Sequence, residues 1–142
     1  MKRKYIYISF FAIAMIITII SVKSTFYSVP NKMKTTQVDG KYNLGKRIYE
    51  KDCASCHDKK MIEYATAPPL GGITKRREKN WLYNYTRNSS KMYSDGDTIA
   101  LKLRSGNFGL MPSFPNLNDT KLDAVYYYIE KEYQKNKSQK TD

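Results

Sequence analysis

The stretch Cys53-Ala54-Ser55-Cys56-His57 decides how this chain folds. On a helical turn, residues at positions i, i+3 and i+4 point in similar directions, so Cys53, Cys56 and His57 project from one face. Two cysteines and an adjacent histidine in the order C-x-x-C-H form the attachment pattern of a c-type haem. Two thioethers then hold the macrocycle along one edge, and the imidazole reaches the iron from one side. The stretch therefore predicts one covalently bound haem c.

Three other interpretations of the cysteine pair compete with haem attachment. A simple disulfide would stabilise an exported domain, but it leaves His57 without a role. A redox dithiol of the thioredoxin type belongs near a βαβ pattern, which the surrounding sequence lacks. A zinc site needs four ligands. Because the chain has two cysteines and one histidine, a carboxylate would have to complete such a site.

His57 is the only histidine in the sequence, which limits the chemistry of the iron. It excludes a second histidine ligand and a second haem with a histidine ligand. It also excludes the distal histidine that a haem peroxidase would use as an acid–base catalyst. The sixth ligand must therefore be a residue of another type.

Three methionines follow the attachment motif as candidates for that ligand. Met61 is too near in sequence to reach the far face of the ring, and Met92 lies in a stretch without any constraint on its backbone. Met111 precedes Pro112 and follows a glycine-containing loop, 106–110, that can run close along a flat ring. We expect Met111 to bind the iron, and the alternative is an apolar plug beneath the haem. Methionine paired with histidine raises the reduction potential and leaves no open coordination position.

The amino-terminal segment, residues 1–23, predicts export. A basic start, Met1-Lys2-Arg3-Lys4, precedes sixteen uncharged residues at 5–20, and this order is typical of an export signal. Counted from Tyr5 to Val22, the stretch has eighteen residues, close to the minimum length that spans the hydrocarbon core of a membrane. We expect it to be retained as a membrane anchor, with a cleaved signal peptide as the alternative. In both cases the rest of the chain lies outside the cytoplasm, in the periplasm or its equivalent.

The remaining chain predicts one small helical domain. Residues 24–38 have no helical or strand period and are interpreted as a linker, 39–134 as the domain, and 135–142 as a polar tail. Apolar spacing and capping residues predict four helices, beginning near Lys41, at Asn80, after Asp97 and after Asn118. No period-two run reaches strand length, so the predicted fold class is all-α. The long connections, 58–79 and 104–117, are consistent with loops wrapped around a cofactor.

The positive charge of the chain bears on its partners. Lysine and arginine number 25 against 13 acidic residues, a net charge of +12. Four of the basic residues lie within residues 1–23, so the remainder holds 21 basic residues and a net charge of +8. These charges are spread along the chain and no nucleic-acid motif accompanies them, so we expect no nucleic-acid partner. We expect redox proteins with acidic docking faces.

From Gly45 onward the chain resembles the class I (monohaem) c-type cytochrome family, over residues 40–133. The matching segments, in order, are Gly45-Lys46-Arg47-Ile48-Tyr49, the C-x-x-C-H motif, Ala67-Pro68-Pro69-Leu70-Gly71, Trp81, Met111-Pro112-Ser113-Phe114 and Tyr127-Tyr128-Ile129. The resemblance implies the small cytochrome c fold, in which about four helices surround one covalently bound haem. It also implies that the first and last helices cross closely, where Gly45 and Tyr49 would meet Tyr127 or Tyr128. A hydrophobic amino-terminal helix would precede this fold.

The same resemblance implies roles for three further residues. The backbone carbonyl of Pro68 accepts the Nδ1 proton of His57, which fixes the orientation of the ring. Leu70 packs on the haem. Trp81 lies near a haem propionate, and an ordinary core tryptophan is the alternative. The tyrosines that are further candidates for the propionates are Tyr83, Tyr85 and Tyr93.

Three functions follow from these expectations. The first is a single-electron carrier, not itself an enzyme, that takes electrons from a quinol-oxidising complex and passes them to a terminal oxidase or another reductase. The second is a fixed haem c subunit of a membrane oxidase or dehydrogenase complex, which a retained anchor favours. The third is a haem peroxidase or gas-binding protein. The third needs an open sixth position, which the expected Met111 ligand fills.

Overall fold

The computed structural model describes residues 30–106 and 108–139 of the chain. These residues form helices joined by turns and loops, and no strand occurs among them, so the predicted all-α class is confirmed. The helices are α1 Pro30–Ile48, α2 Ile73–Arg76, α3 Lys79–Ser94, α4 Thr98–Ser105 and α5 Asp119–Ser138. A π-helical turn, Tyr49–Cys53, follows α1 directly and leads into the cysteine motif.

Helix α1 begins earlier than the sequence predicts, at Pro30 instead of near Lys41. Proline is tolerated at the first helical position, because the N–H that it lacks would have no partner within the helix there. Helix α1 therefore extends into the segment interpreted as a linker, 24–38, of which residues 24–29 lie outside the described part. A compact unit of the chain begins within α1, at Asp39.

Helices α1 and α5 cross at Gly45. A Cβ atom built on this glycine would lie 2.0 Å from the carbonyl oxygen of Ala124 and 2.8 Å from the Cβ of Tyr128. No side chain fits there, which explains a mid-helix glycine that disfavours the helix by about 1 kcal/mol relative to alanine. Tyr49 lies against Tyr128 with the ring centroids 5.4 Å apart. The close crossing that the resemblance implies is confirmed.

The core lies where α1, α3 and α5 meet the loop that follows the cysteine motif. Its buried apolar side chains are Ile48, Tyr49, Met61, Leu82, Tyr83, Leu117, Leu122, Val125, Tyr128 and Ile129. Five side chains of the predicted site or of its matching segments are partly buried and pack against this core: Cys53, Ala54, Leu70, Trp81 and Phe114. The candidate site therefore adjoins the core rather than lying apart from it.

The starts of α4 and α5 are capped as the sequence predicts. The carboxylate of Asp97 accepts hydrogen bonds from the backbone N–H groups of Ile99 and Ala100, and Asn118 accepts one from Lys121. Each cap satisfies N–H groups that the first helical turn leaves without partners.

Helix α5 is longer than predicted and continues to Ser138, past the expected end of the domain at residue 134. Two hydrogen bonds explain the extension. The side chain of Gln134 donates to Glu130 at 2.9 Å, and the side chain of Asn136 donates to the Glu132 carbonyl at 2.8 Å. Lysines in the last turn also suit the negative end of the helix dipole.

Helix α3 is broken near its middle. Asn88 has φ −152° and ψ 63°, outside the helical region. Its side-chain oxygen accepts a hydrogen bond from the Lys91 N–H at 3.1 Å and so caps the second half of the helix. The sequence predicts the helix but not this break.

None of the helices in residues 30–106 and 108–139 combines the length and apolar character that a membrane crossing requires. The segment predicted to be an anchor, residues 1–23, lies outside the described residues.

Candidate functional site

The cysteine motif forms a closed turn directly after the π-helical turn. The backbone N–H groups of Cys56 and His57 both donate to the carbonyl of Cys53, at 3.1 and 3.0 Å. The side chains of these three residues are each partly buried. Both cysteines are free thiols. Local hydrogen bonds thus keep the two thiols and the imidazole on one short piece of backbone.

The environment of Cys53 weighs against the competing interpretations. Burial raises the pKa of its thiol to about 12, and the neighbouring Asp52 and Cys56 add to the rise. A redox dithiol needs a lowered pKa, because the thiolate is the nucleophile. Within the described part of the chain, no three His, Cys, Asp or Glu side chains are grouped to hold a metal ion. Neither a dithiol nor a zinc site is supported.

His57 is oriented by the backbone of Pro68. Its Nδ1 atom lies 2.9 Å from the Pro68 carbonyl oxygen, the contact that the resemblance implies. A carbonyl only accepts, so Nδ1 carries the proton and Nε2 keeps a free lone pair. Burial lowers the pKa of His57, although the bond to Pro68 acts in the opposite direction. The neutral ring with an available Nε2 is the form that binds a metal.

The loop that carries Pro68 folds back on the motif and on helix α5. The N–H of Ala67 donates to the Cys56 carbonyl at 2.9 Å, and the N–H of Gly71 donates to the Met61 carbonyl at 2.8 Å. A Cβ on Gly71 would lie 2.3 Å from the ring of Tyr133, so the loop lies directly against that ring. This packing fixes the position of the carbonyl that orients His57.

Leu70 and Trp81 both lie partly buried against the core. The indole N–H of Trp81 donates to the carboxylate of Asp97, with distances of 3.2 and 3.1 Å to its two oxygens. The indole ring also stacks on Tyr85 at a centroid distance of 4.8 Å. The resemblance implies a position near a propionate for Trp81. The only donor of Trp81 is therefore engaged by Asp97.

The structure places the three candidate methionines in different surroundings. Met61 is fully buried in the core. Met92 lines a groove on helix α3 together with polar side chains, namely Asn84, Arg87, Asn88, Lys91 and Asp95. Met111 is half-buried in the loop between α4 and α5. Met92 and Met111 are thus both half-buried outside the core, and they differ in that Met92 lies on helix α3 whereas Met111 lies on a loop.

The segment from Met111 to Phe114 is joined to helix α3 by two hydrogen bonds, and the side chain of Arg87 makes another to the Leu117 carbonyl. The Phe114 N–H donates to the Thr86 carbonyl at 3.0 Å, and the hydroxyl of Ser89 donates to the Met111 carbonyl. Ser89 is fully buried. Ser89 is not among the residues that the sequence predicts for the site. Ser89 lies seven residues after Leu82, a spacing that places both on one face of a helix. A polar residue on the buried face was the feature of the sequence that could have indicated it.

These donors fit a c-type haem. They comprise two free thiols three residues apart, an imidazole with an available nitrogen, and a thioether on a separate loop, and such a nitrogen and sulfur set suits haem iron. Together, the all-helical fold and this site define a haem protein of the c type, built for electron transfer. The family model for cytochrome c matches residues 42–132. The chain belongs to the cytochrome c family, so the resemblance noted from the sequence is confirmed.

Known relatives agree with this assignment. The chain is 31% identical over 90 residues to cytochrome c-554(547) of Halothiobacillus neapolitanus, covering 60% of this chain and 89% of the relative. It is 26% identical over 98 residues to the Cbb3-type cytochrome c oxidase subunit CcoP of Azospirillum sp. (strain B510), covering 63% of this chain but only 28% of that relative. Among solved structures, cytochrome c from Rhodothermus marinus has a similar fold, with a TM-score of 0.59 and 20% identity. That match covers 68% of this chain and 80% of the other.

Proposed function

We propose that this protein carries single electrons between respiratory redox partners outside the cytoplasm, through one haem c attached to Cys53 and Cys56. The observation that carries the proposal is the hydrogen bond from His57 Nδ1 to Pro68, which leaves Nε2 free on the turn that holds both thiols. When bound, the haem supplies a reversible one-electron couple between ferric and ferrous iron. The residues of the chain attach, orient and shield it.

Each site residue has one task in this proposal. His57 binds the iron on one side, and the Pro68 carbonyl holds its ring in one orientation. Met111 would supply a second ligand to the iron. Leu70 and Trp81 would form part of the apolar wall. With His57 and Met111 both holding the haem, oxygen and peroxide would have no open site, and electron transfer would be favoured over catalysis.

The test of the ligand assignment is Met111→Ala in the haem-loaded protein, with Met92→Ala as the matched control. We expect the first variant to lose the weak sulfur-to-iron charge-transfer absorption of the oxidised protein, and the second to keep it. We also expect the reduced wild-type protein to bind little carbon monoxide at neutral pH. Survival of the absorption in Met111→Ala would refute the assignment, and strong carbon monoxide binding by the wild type would favour a gas-binding or peroxidase function instead.

The charge of the chain supports docking to acidic faces of redox partners. Outside residues 1–23 the net charge is +8, and attraction between complementary charged surfaces raises association rates in a way that added salt weakens. Rates of electron transfer to an acidic partner should therefore fall steeply with ionic strength. A flat salt dependence would contradict this part of the proposal.

Membrane attachment through residues 1–23 is a further part of the proposal, based on their basic start and apolar length. Mass spectrometry of the mature protein tests it directly. A mass that includes both the haem and residues 1–23 is expected for a retained anchor, whereas a mass lacking these residues indicates a cleaved signal peptide and a carrier that is free on the outer side.

A fixed subunit of an oxidase complex is the second candidate. The similarity to the Azospirillum oxidase subunit favours it, although this chain covers only 28% of that relative. Native electrophoresis of gently solubilised membranes separates the two candidates. Comigration of the haem c with oxidase activity supports the subunit, and separate migration supports the carrier.

A further inference from the structure

The break in helix α3 leaves a backbone carbonyl of the helix available to the loop that carries Met111. The break at Asn88 interrupts the regular backbone pattern of the helix. In an unbroken helix the carbonyl of Thr86 is directed to the N–H of Ser90. Here the same carbonyl accepts the N–H of Phe114, 3.0 Å away on the loop between α4 and α5.

Ser89 follows the break immediately and makes the second contact with the same loop. It is fully buried, and its hydroxyl donates to the carbonyl of Met111. The hydroxyl of Ser113 lies 3.4 Å from it. The segment from Met111 to Phe114 is thus held at both ends, by its first carbonyl and by its last N–H.

The hydroxyl of Ser89 has no evident use in the helix itself. Alanine is the better helix former and would pack on the same inward face. Burial of a hydroxyl disfavours folding unless the group is hydrogen-bonded. The bond to Met111 is therefore the physical reason for a serine here.

We infer that Ser89, set in place by the break at Asn88, is a positioning residue for the axial methionine. It fixes the backbone of Met111, from which the thioether reaches the iron. A methionine side chain has three rotatable bonds and adapts easily, so a fixed backbone is what confines its sulfur to one place. The inference rests on the proposed function, in which Met111 binds the iron.

The test is Ser89→Ala in the haem-loaded full chain, with the neighbouring exposed Ser90→Ala as the matched control. Removal of the hydroxyl takes away the hydrogen bond to the Met111 carbonyl, so binding of the Met111 sulfur to the iron should be weaker. We expect the affinity of the reduced protein for carbon monoxide to rise roughly tenfold. We also expect the charge-transfer absorption of the oxidised protein to disappear at a lower pH than in the wild type. Ser90→Ala should match the wild type in both measurements.

A second variant, Asn88→Ala, tests the break independently. Asn88 is exposed, and its side chain caps the second half of the helix. Its loss should let α3 straighten and move Ser89 away from the loop. We expect a change in the same direction as for Ser89→Ala but smaller. If Ser89→Ala does not load haem, the carbon monoxide affinity of Asn88→Ala decides the question.

Met111→Ala, measured in parallel, separates two kinds of failure. If that variant keeps the charge-transfer absorption, the proposed function is wrong in its ligand and the inference falls with it. If it loses the absorption while Ser89→Ala and Asn88→Ala both behave as the wild type, the ligand assignment stands and the positioning role is refuted.

Discussion

The two proposed axial ligands are held by different kinds of structure. His57 lies in a segment of residues 53–72, here called the His57 side, whose key contact joins His57 to Pro68 across 11 positions of sequence. Met111 lies in residues 108–117, the Met111 side, whose corresponding contact joins it to Ser89 across 22 positions. The His57 side is thus largely built from its own residues, whereas the Met111 side depends on how helix α3 is placed.

This difference has consequences for stability. The His57 side is closed by backbone hydrogen bonds within the loop and lies against helix α5 at Gly71. Bound haem would add two covalent bonds there. The Met111 side is tied to helices α3 and α5 by hydrogen bonds and to the core by Leu117, but it would gain no covalent bond to the haem. Segments with weaker ties open at a lower free energy than the whole molecule unfolds. We therefore expect the Met111 side to open first.

The largest effect is expected from adding a methyl group to a glycine on each side. A Cβ at Gly71, on the His57 side, would lie 2.3 Å from the ring of Tyr133 and 2.6 Å from the Met61 carbonyl, whereas a Cβ at Gly109, on the Met111 side, meets nothing within 4 Å. Gly71→Ala should lower the free energy of unfolding by about 3 kcal/mol, because overpacking forces the loop away from α5. Gly109→Ala displaces no protein atom, so it should change the free energy of unfolding less than Gly71→Ala does. Urea denaturation of the haem-loaded variants measures both, and equal effects would break the comparison.

A smaller effect is expected when the π-helical turn loses its hydrogen bond to the His57 side. Tyr49 is fully buried, and its hydroxyl donates to the carbonyl of Asp58 at 2.8 Å, next to His57. Tyr49→Phe removes one of the two donors to that carbonyl, the other being the N–H of Met61, and should lower the free energy of unfolding by about 1.5 kcal/mol. Tyr64→Phe is the control, because Tyr64 is 72% exposed. If the two variants are equally stable, the hydrogen bond to Asp58 does not support the His57 side.

Hydrogen exchange compares the two sides without any mutation. The Gly71 N–H donates to Met61 on the His57 side, and the Phe114 N–H donates to Thr86 on the Met111 side. If the Met111 side opens first, the amide of Phe114 should exchange roughly tenfold faster than that of Gly71 after correction for intrinsic rates, equivalent to about 1.4 kcal/mol. Exchange at equal rates would mean that the two sides open as one unit.

The same contrast explains what could be predicted from the sequence. The cysteine motif, the caps at Asp97 and Asn118 and the need for glycine at position 45 all depend on short spacing or on a resemblance between ordered segments. The break at Asn88 and the bond from Ser89 to Met111 depend on tertiary packing between distant residues. Nothing in a local pattern distinguishes a helix broken by its surroundings from a regular one.

Two further differences have the same origin. Helix α1 begins at Pro30 and runs through polar residues before it reaches the domain. These residues have no amphipathic period, so the sequence does not indicate that they are helical. The acceptor of the Trp81 N–H is Asp97, a residue that the sequence marks only as a helix cap. The Asp97 carboxylate both caps helix α4 and accepts the indole N–H. This double role depends on the packing of α3 against α4, which the sequence does not show.

The smallest effect is expected at the carboxylate of Asp97, which accepts the indole N–H of Trp81 on helix α3 and caps helix α4. Hydrogen bonds from the N–H of Ala100, then from Trp81 and Ile99, hold the pKa of Asp97 below its usual range. A carboxyl with a lowered pKa stabilises the fold fully above its ordinary pKa of about 4, and that contribution is lost as the pH falls toward its folded-state value. Asp97→Asn removes the titration, so the stability difference between wild type and variant should be larger at pH 7 than at pH 3. Urea denaturation at the two pH values measures the free energies of unfolding. A difference between wild type and variant that is equal at both pH values would show that the Asp97 charge does not stabilise the fold.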